Sequence, residues 1–280
     1  MERLDHHRDR IEEHLEAVLG ETEPAQLRER MRGATLSDGK RVRPTLTVLV
    51  CDALDGDIET AMDFAVGIEL VHNASLVIDD IIDRSELRRG GPSAWTALGH
   101  GPAIVTSDGL LGEAFAAFGE NNRAIQTVSG ALVQLGEGEA TELMARPVSE
   151  EEYIHLAQRK TGALFRAAAE LGAIAAAADE TAVDAVGQYA ERVGVAFQIR
   201  DDVLDATGNT ERLGKPTGHD ADTGRPSIVE VTDLSPAAAN ERARAESEAA
   251  LAALTEADVV DSRFRAYLSE LATFVIEREQ

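Results

Sequence analysis

Apolar residues recur at intervals of three and four along most of this chain, the signature of helices with one buried face. One stretch runs Ile58, Ala61, Met62, Ala65, Ile68 and Leu70-Val71; another runs Val183, Val186, Tyr189-Ala190, Val193 and Phe197. Period-two alternation, the mark of a half-buried strand, is scarce. The run TLTVLV at 45–50 is β-like but too short to outweigh its helical surroundings. Prolines at 24, 44, 92, 102, 147, 216, 226 and 236 leave long proline-free stretches at 45–91 and 148–215, rich in the helix formers Ala, Leu, Glu and Arg. Breaks are expected near 20–24, 34–39, 55–57, 87–92, 99–102, 119–122, 146–149 and 206–226, which together predict ten or more helices. Asp57 and Ser149, the latter with Glu152 three residues on, are the expected N-caps. No linker or low-complexity segment divides the chain, so the pattern predicts a single all-α domain over 1–280. The longest loop-like segment, 207–226, has the length of a functional loop.

Charge changes this picture. Asp and Glu number 51 against 27 Lys and Arg, a formal net charge of -24. Such a surface repels nucleic acid and anionic lipid headgroups, and it reads as the solvated acidic shell of a salt-adapted protein. Only three basic residues are lysines, Lys40, Lys160 and Lys215, leaving 24 arginines. Lysine is a compact point charge and arginine a planar fork, so each surviving lysine marks a place where arginine does not serve. The single cysteine, Cys51, excludes a disulfide framework and a zinc-cysteine site, and its apolar neighbours place it in the core. The first twenty residues are charged throughout, unlike a signal peptide, and no apolar run approaches the ~18 residues of a membrane span. The expectation is a soluble, cytoplasmic protein.

Two aspartate clusters carry the chemistry: Asp79-Asp80-Ile81-Ile82-Asp83 and Asp201-Asp202-Val203-Leu204-Asp205. On a helix, positions i and i+4 share a face, so Asp79 and Asp83 project together with Asp80 beside them; the second cluster repeats the geometry. Three carboxylates on one turn repel unless cations or full hydration hold them. Both clusters adjoin apolar runs, ASLVI and GVAFQI, which suits a cavity wall better than an outer face. Hard oxygen ligands select magnesium, which prefers one or two carboxylates, waters and phosphate oxygens to a complete protein cage. Groups that could hold phosphate lie at Lys40-Arg41-Val42-Arg43, at Arg88-Arg89 before two glycines, at Lys160-Thr161-Gly162 and at Gly214-Lys215-Pro216. His72 lies two turns before Asp79 on the same face.

The chain resembles the trans-polyprenyl diphosphate synthases, the head-to-tail isoprenoid chain-elongation enzymes. The likeness runs from about Gly39 to Arg225 and includes GKRVRP, ELVHNASLVIDDIIDRSELRRG, KTGALF, FQIRDDVLD, GKPTGHD and GRPSI, in that order. It implies an all-α isoprenoid-synthase-type helical bundle around a deep central cavity, usually a homodimer, with isopentenyl diphosphate and an allylic diphosphate as substrates. It implies Mg2+, three ions per site, held by Asp79, Asp83 and Asp201, with Asp80, Asp202 and Asp205 nearby. Arg88, Lys160, Thr161, Gln198 and Lys215 would meet the allylic diphosphate or its departing charge, and Arg225 is a further substrate-binding position. Lys40, Arg43, His72 and Arg89 would hold isopentenyl diphosphate. All three lysines fall on such positions. Departures from the family pattern are Ile78 for a histidine, Ser107 for a glycine before Asp108, Glu139 for a glutamine, Arg225 for a lysine and Pro226-Ser227 at the following threonine. None removes a magnesium ligand.

Product length would follow the depth of the cavity below the first cluster. Ala74 and Ser75, one turn before Asp79, are small and leave room for a tail beyond fifteen carbons, while Val71 could form a floor one turn deeper. The expected product is geranylgeranyl diphosphate (C20), with a longer polyprenyl product, a regulatory subunit or a class I terpene cyclase as alternatives.

Overall fold

The computed structural model describes residues 2–37, 39–207 and 225–256. These form twelve helices: α1 (Glu2–Gly20), α2 (Ala25–Thr35), α3 (Val42–Ala53), α4 (Ile58–Ile82), α5 (Ala94–Leu98), α6 (His100–Ala117), α7 (Asn122–Met144), α8 (Glu150–Ala157), α9 (Ala163–Ala175), α10 (Glu180–Thr207), α11 (Ile228–Thr232) and α12 (Pro236–Glu256). The all-helical expectation holds. The 207–226 loop and Lys215 lie almost wholly outside the described residues.

The long helix α4 lies at the centre of the bundle, packed by α1, α3, α6 and α9, and is buried on nearly every face as a central helix must be. It begins where the pattern expects, with Asp57 accepting a hydrogen bond from the Glu59 amide at 3.1 Å. Contrary to the sequence reading, this helix is long and apolar enough to cross a membrane, but 72% of its most apolar window is buried inside the fold. Its apolarity is used up against other helices. The opposite wall is α10, which packs on α9 and α12.

The β-like TLTVLV run is helical because burial decides it: Leu46, Thr47, Val48, Leu49 and Val50 all sit in the core on α3. There α3 approaches α9 closely. Thr47 Oγ1 donates to the Ala168 carbonyl at 2.8 Å, and a Cβ on Gly172 would lie 2.3 Å from the Thr47 carbonyl oxygen. Cys51 is free and buried; burial, then the nearby Asp57 and Asp52 charges, push its thiol up to about 12. Ser149 caps α8 from the Glu152 amide, and Glu152 returns a bond to the Val148 amide at 2.8 Å.

Three local features escape periodicity. The break expected at 87–92 is a small antiparallel hairpin, β1 (Leu87–Arg88) with β2 (Gly91–Pro92). Its turn residues Arg89 and Gly90 both have positive φ (50° and 77°), as a tight primed turn requires. A π-helical turn at Gln158–Gly162 widens the helical path between α8 and α9. The alanine run at 175–178 hides the break between α9 and α10, where Ala177 adopts φ 52°.

Candidate active site

A cavity of about 690 Å³ opens between α4, the hairpin, the π turn, α10 and Arg225-Pro226. Asp79 from α4 and Asp201, Asp202 and Asp205 from α10 border it. So do Lys40, Arg43, His72, Arg88, Arg89, Lys160, Thr161, Gln198 and Arg225. Residues scattered across the sequence thus converge on one volume. Ser75 lines it as well, whereas Ala74 and Val71 are buried outside the lining. The Ala74 carbonyl accepts a hydrogen bond from Ser107 Oγ of α6 at 3.0 Å.

The first cluster shows how crowded carboxylates are held. Asp80 is buried, and Arg88 grips it through Nε at 3.1 and 3.2 Å and Nη2 at 2.5 Å. Burial pushes the Asp80 carboxyl up and Arg88 opposes the rise. Asp83 leaves α4 as its C-terminal cap and pairs with Arg225. Asp79 is half-buried at the cavity wall. Arginines therefore answer the repulsion that the spacing foresaw.

The second cluster divides its work. Asp201 faces the cavity. Asp202 is buried, its Oδ2 accepting from Tyr153 Oη at 2.6 Å and the Ile228 amide at 2.9 Å, its Oδ1 from Gln198 Nε2 at 2.9 Å. It ties α8, α10 and α11 together, an anchoring duty that the catalytic reading of the sequence did not include. Gln198 stands between this anchor and Thr161, whose hydroxyl donates to it at 2.7 Å.

Across from Asp79, the π turn points Lys160 at α7. Its ammonium pairs with Glu139 at 3.0 Å and with Glu142 more closely still. Burial works against the Lys160 charge, but Glu142, Glu139 and Asp79 outweigh it and hold the ammonium above its ordinary value. Burial and the Asp79 charge push the Glu139 carboxyl up to about 7 against the pull of Lys160.

The basic side of the cavity is built around His72. Arg43 Nη1 lies 3.2 Å from His72 Nε2, and its guanidinium stacks 4.5 Å from the centre of the Phe165 ring. Burial lowers the Arg43 guanidinium to about 10, which leaves it charged at neutral pH. Burial and then the charges of Arg43, Arg89, Arg88 and Arg41 hold His72 well below the usual imidazole range. Arg89 reaches Ser37 through Nη1 at 3.2 Å.

Sequence reasoning missed Arg8, Glu12, Glu142, Tyr153 and Phe165 at or beside this cavity. No spacing pattern links α1 or α8 to the clusters. Only the lysine argument pointed towards Glu142, and only after Lys160 was placed.

The cavity-facing carboxylates Asp79 and Asp201 are hard-oxygen donors, and among the described residues no three His, Cys, Asp or Glu side chains converge as a ready-made metal site. That arrangement fits magnesium, which completes its shell with water and phosphate oxygens.

The chain is similar to known proteins along most of its length. A family model described as polyprenyl synthetase matches residues 24–265. A short chain isoprenyl diphosphate synthase of Methanocaldococcus jannaschii is 38% identical over 70% of this chain and 62% of the relative. A geranylgeranyl diphosphate synthase of Methanosarcina mazei is 31% identical over 94% of this chain and 86% of the relative. The solved geranylgeranyl pyrophosphate synthetase of Pyrococcus horikoshii superposes with a TM-score of 0.85 at 32% identity, covering 99% and 98% of the two chains. A polyprenyl synthase from Caulobacter crescentus, solved with calcium and isoprenyl diphosphate, gives 0.90 at 26% identity over 100% and 98%.

Proposed function

Because the chain belongs to the polyprenyl synthetase family, we propose that it is a trans-prenyltransferase joining isopentenyl diphosphate head to tail to an allylic diphosphate. The observation that carries this reading is the division of one cavity into two anion-handling sides. Asp79 and Asp201 line it from α4 and α10, and Lys40, Arg43 and His72 gather on the basic side. A single phosphorylated substrate needs only one of them.

Asp79, Asp83 and Asp201 are the residues that would hold magnesium, three ions per site by the family likeness. When bound, the metal shields charge gathering on the leaving diphosphate. Asp83 would exchange its Arg225 partner for that role, leaving Arg225 to meet phosphate oxygens, and Arg88 would reach them while still held by Asp80. Lys160 turns from Glu139 and Glu142 to the leaving group, with Thr161 and Gln198 donating beside it, and Lys215 joins them. Lys40, Arg43 and Arg89 hold the diphosphate that stays attached. His72, neutral and accepting from Arg43 on Nε2, presents its protonated Nδ1 as a donor without adding charge. The allylic carbon ionises, the double bond of isopentenyl diphosphate attacks it, and the departing diphosphate takes the proton. Apolar walls at Leu76, Leu135, Leu164 and Phe197 keep water from the cation.

The product favoured is C20. The geranylgeranyl relatives from Methanosarcina mazei and Pyrococcus horikoshii support it, and so does Ser75, a small side chain on the cavity wall below Asp79. We also propose a homodimer, supported by exposed apolar residues on α6 (Ile104, Val105) and α7 (Val133, Leu143, Met144).

The test is incubation with isopentenyl diphosphate, each allylic primer and Mg2+ in high salt, followed by product sizing. A C20 diphosphate is the expected result. No product with any primer would overturn the enzymatic reading, a longer chain would correct the product, and a cyclic hydrocarbon from geranylgeranyl diphosphate alone would establish a cyclase.

A further inference from the structure

The turn that presents Lys40 and Arg43 is held by side chains of α1 and α4. Arg41, between them, adopts φ 50° and ψ 36°, a left-handed conformation that side-chain-bearing residues avoid. What over-determines it is its guanidinium. Nε donates to Glu12 Oε1 at 2.6 Å and Nη2 to Glu12 Oε2 at 3.2 Å, a two-point grip on one carboxylate of α1. Nη1 donates to Glu69 Oε1 at 2.8 Å and Nη2 to the Thr35 carbonyl at 2.8 Å. The Arg41 side chain is 1% exposed and that of Glu69 3%. One turn before Glu12 on α1, Arg8 donates to the Gly39 carbonyl at 3.2 Å. A Cβ on Gly39 would lie 2.9 Å from Arg41 Nη1, so a side chain there would push against the guanidinium.

We propose that Glu12 is a positioning residue for the diphosphate that stays attached: by gripping Arg41 it fixes the left-handed turn and so the directions of Lys40 and Arg43. The inference rests on the functional reading above. Physically, the turn lies in a crowd of like charges, with Arg89 and Arg43 both lowered by burial and by neighbouring guanidinium groups. Glu69, from α4, is shared with Arg43 and Arg89 as a counter-charge and is itself steadied by Asn73 Nδ2 at 3.1 Å. Glu12 grips Arg41 from α1, a second element, and lends a weaker counter-charge to Arg89. Losing that carboxylate leaves Arg41 with one carboxylate instead of two and a backbone conformation with less to hold it. The turn then samples other shapes, and the basic side is no longer preformed for its substrate. The aspartate side, built on α4 and α10, does not share this support.

The experiment uses the full chain with Mg2+ in high salt and the variants Glu12→Gln, Glu12→Asp and Arg8→Gln. Steady-state kinetics are read with each substrate varied, alongside calorimetric binding of isopentenyl diphosphate alone and Tm. Glu12→Gln is expected to raise KM and Kd for isopentenyl diphosphate about tenfold, with KM for the allylic diphosphate and kcat changed less than about threefold. Glu12→Asp should recover part of the loss. Arg8→Gln, at an exposed position, should give a smaller rise in the same constants with Tm little changed. Equal rises in both KM values, or a fall in Tm with unchanged KM and Kd, would overturn the proposal while leaving the functional reading standing. If the wild-type chain neither binds isopentenyl diphosphate nor turns it over, the functional reading fails and this inference with it.

Discussion

Arg43 Nη1 sits 3.2 Å from His72 Nε2, and because a guanidinium can only donate, Nε2 is the acceptor and the proton of the neutral ring rests on Nδ1. The relationship decides what His72 can do. Burial, with Arg43 and three further arginines, holds the ring well below the usual imidazole range, so it stays neutral where a free histidine would charge.

A depressed imidazole makes stability depend on pH in a known direction. Below about pH 6.5 the unfolded chain binds a proton that the folded ring refuses, so this contribution is full above that pH and is lost progressively as pH falls from there through the lowered value of the folded ring. His72→Gln should flatten the fall of Tm between roughly pH 7 and 5. An unchanged slope in thermal scans would mean that the ring is not held neutral.

Glu139 behaves oppositely. Burial, then Asp79, raise its carboxyl to about 7, so the folded state holds a proton that the unfolded chain has given up. Its contribution to stability is full below the ordinary glutamate value and is lost as pH rises through about 7. Above that pH the carboxylate also competes with diphosphate for Lys160. Glu139→Gln should lower KM for the allylic substrate by roughly threefold at pH 8 and leave it little changed at pH 6. Parallel pH profiles for variant and wild type would contradict this.

The carboxylates should separate into two kinds. Asp79→Asn is expected to cut kcat/KM by about a hundredfold or more with little change in Tm, and chelation of Mg2+ should abolish turnover until the ion is restored. Asp202→Asn should instead destabilise the fold by about 1–3 kcal/mol, since an amide cannot accept from Tyr153, Ile228 and Gln198 together. Denaturant titration beside kinetics distinguishes them.

Product length is expected to respond at Ser75. Ser75→Phe fills the cavity wall one turn below Asp79 and should shorten the product towards fifteen carbons, seen by mass analysis of the released chains. An unchanged C20 product would move the length-setting wall elsewhere.

The net charge of -24 predicts salt dependence. Screening the self-repulsion should raise Tm by roughly 5 °C or more between about 0.1 and 2 M KCl. A flat response would remove the halophilic explanation of the acidic surface.

The sequence by itself determined the helical class and the two aspartate clusters, because a buried helix must repeat its apolar residues every three to four positions and a carboxylate triplet on one turn, beside an apolar run, calls for a cation or full hydration. It also marked Lys40 and Lys160, through the near absence of lysine elsewhere. The hairpin at 87–92, the π turn and the break at Ala177 were not legible, since they depend on backbone angles that local composition does not specify. Only the tertiary structure decided which donor meets which carboxylate. Arg88 on Asp80 lies within local reach, but Arg225 on Asp83, Tyr153 on Asp202 and Glu12 on Arg41 join elements far apart in the chain. Such pairings follow from how helices pack, and packing is set by the whole core at once rather than by any one motif.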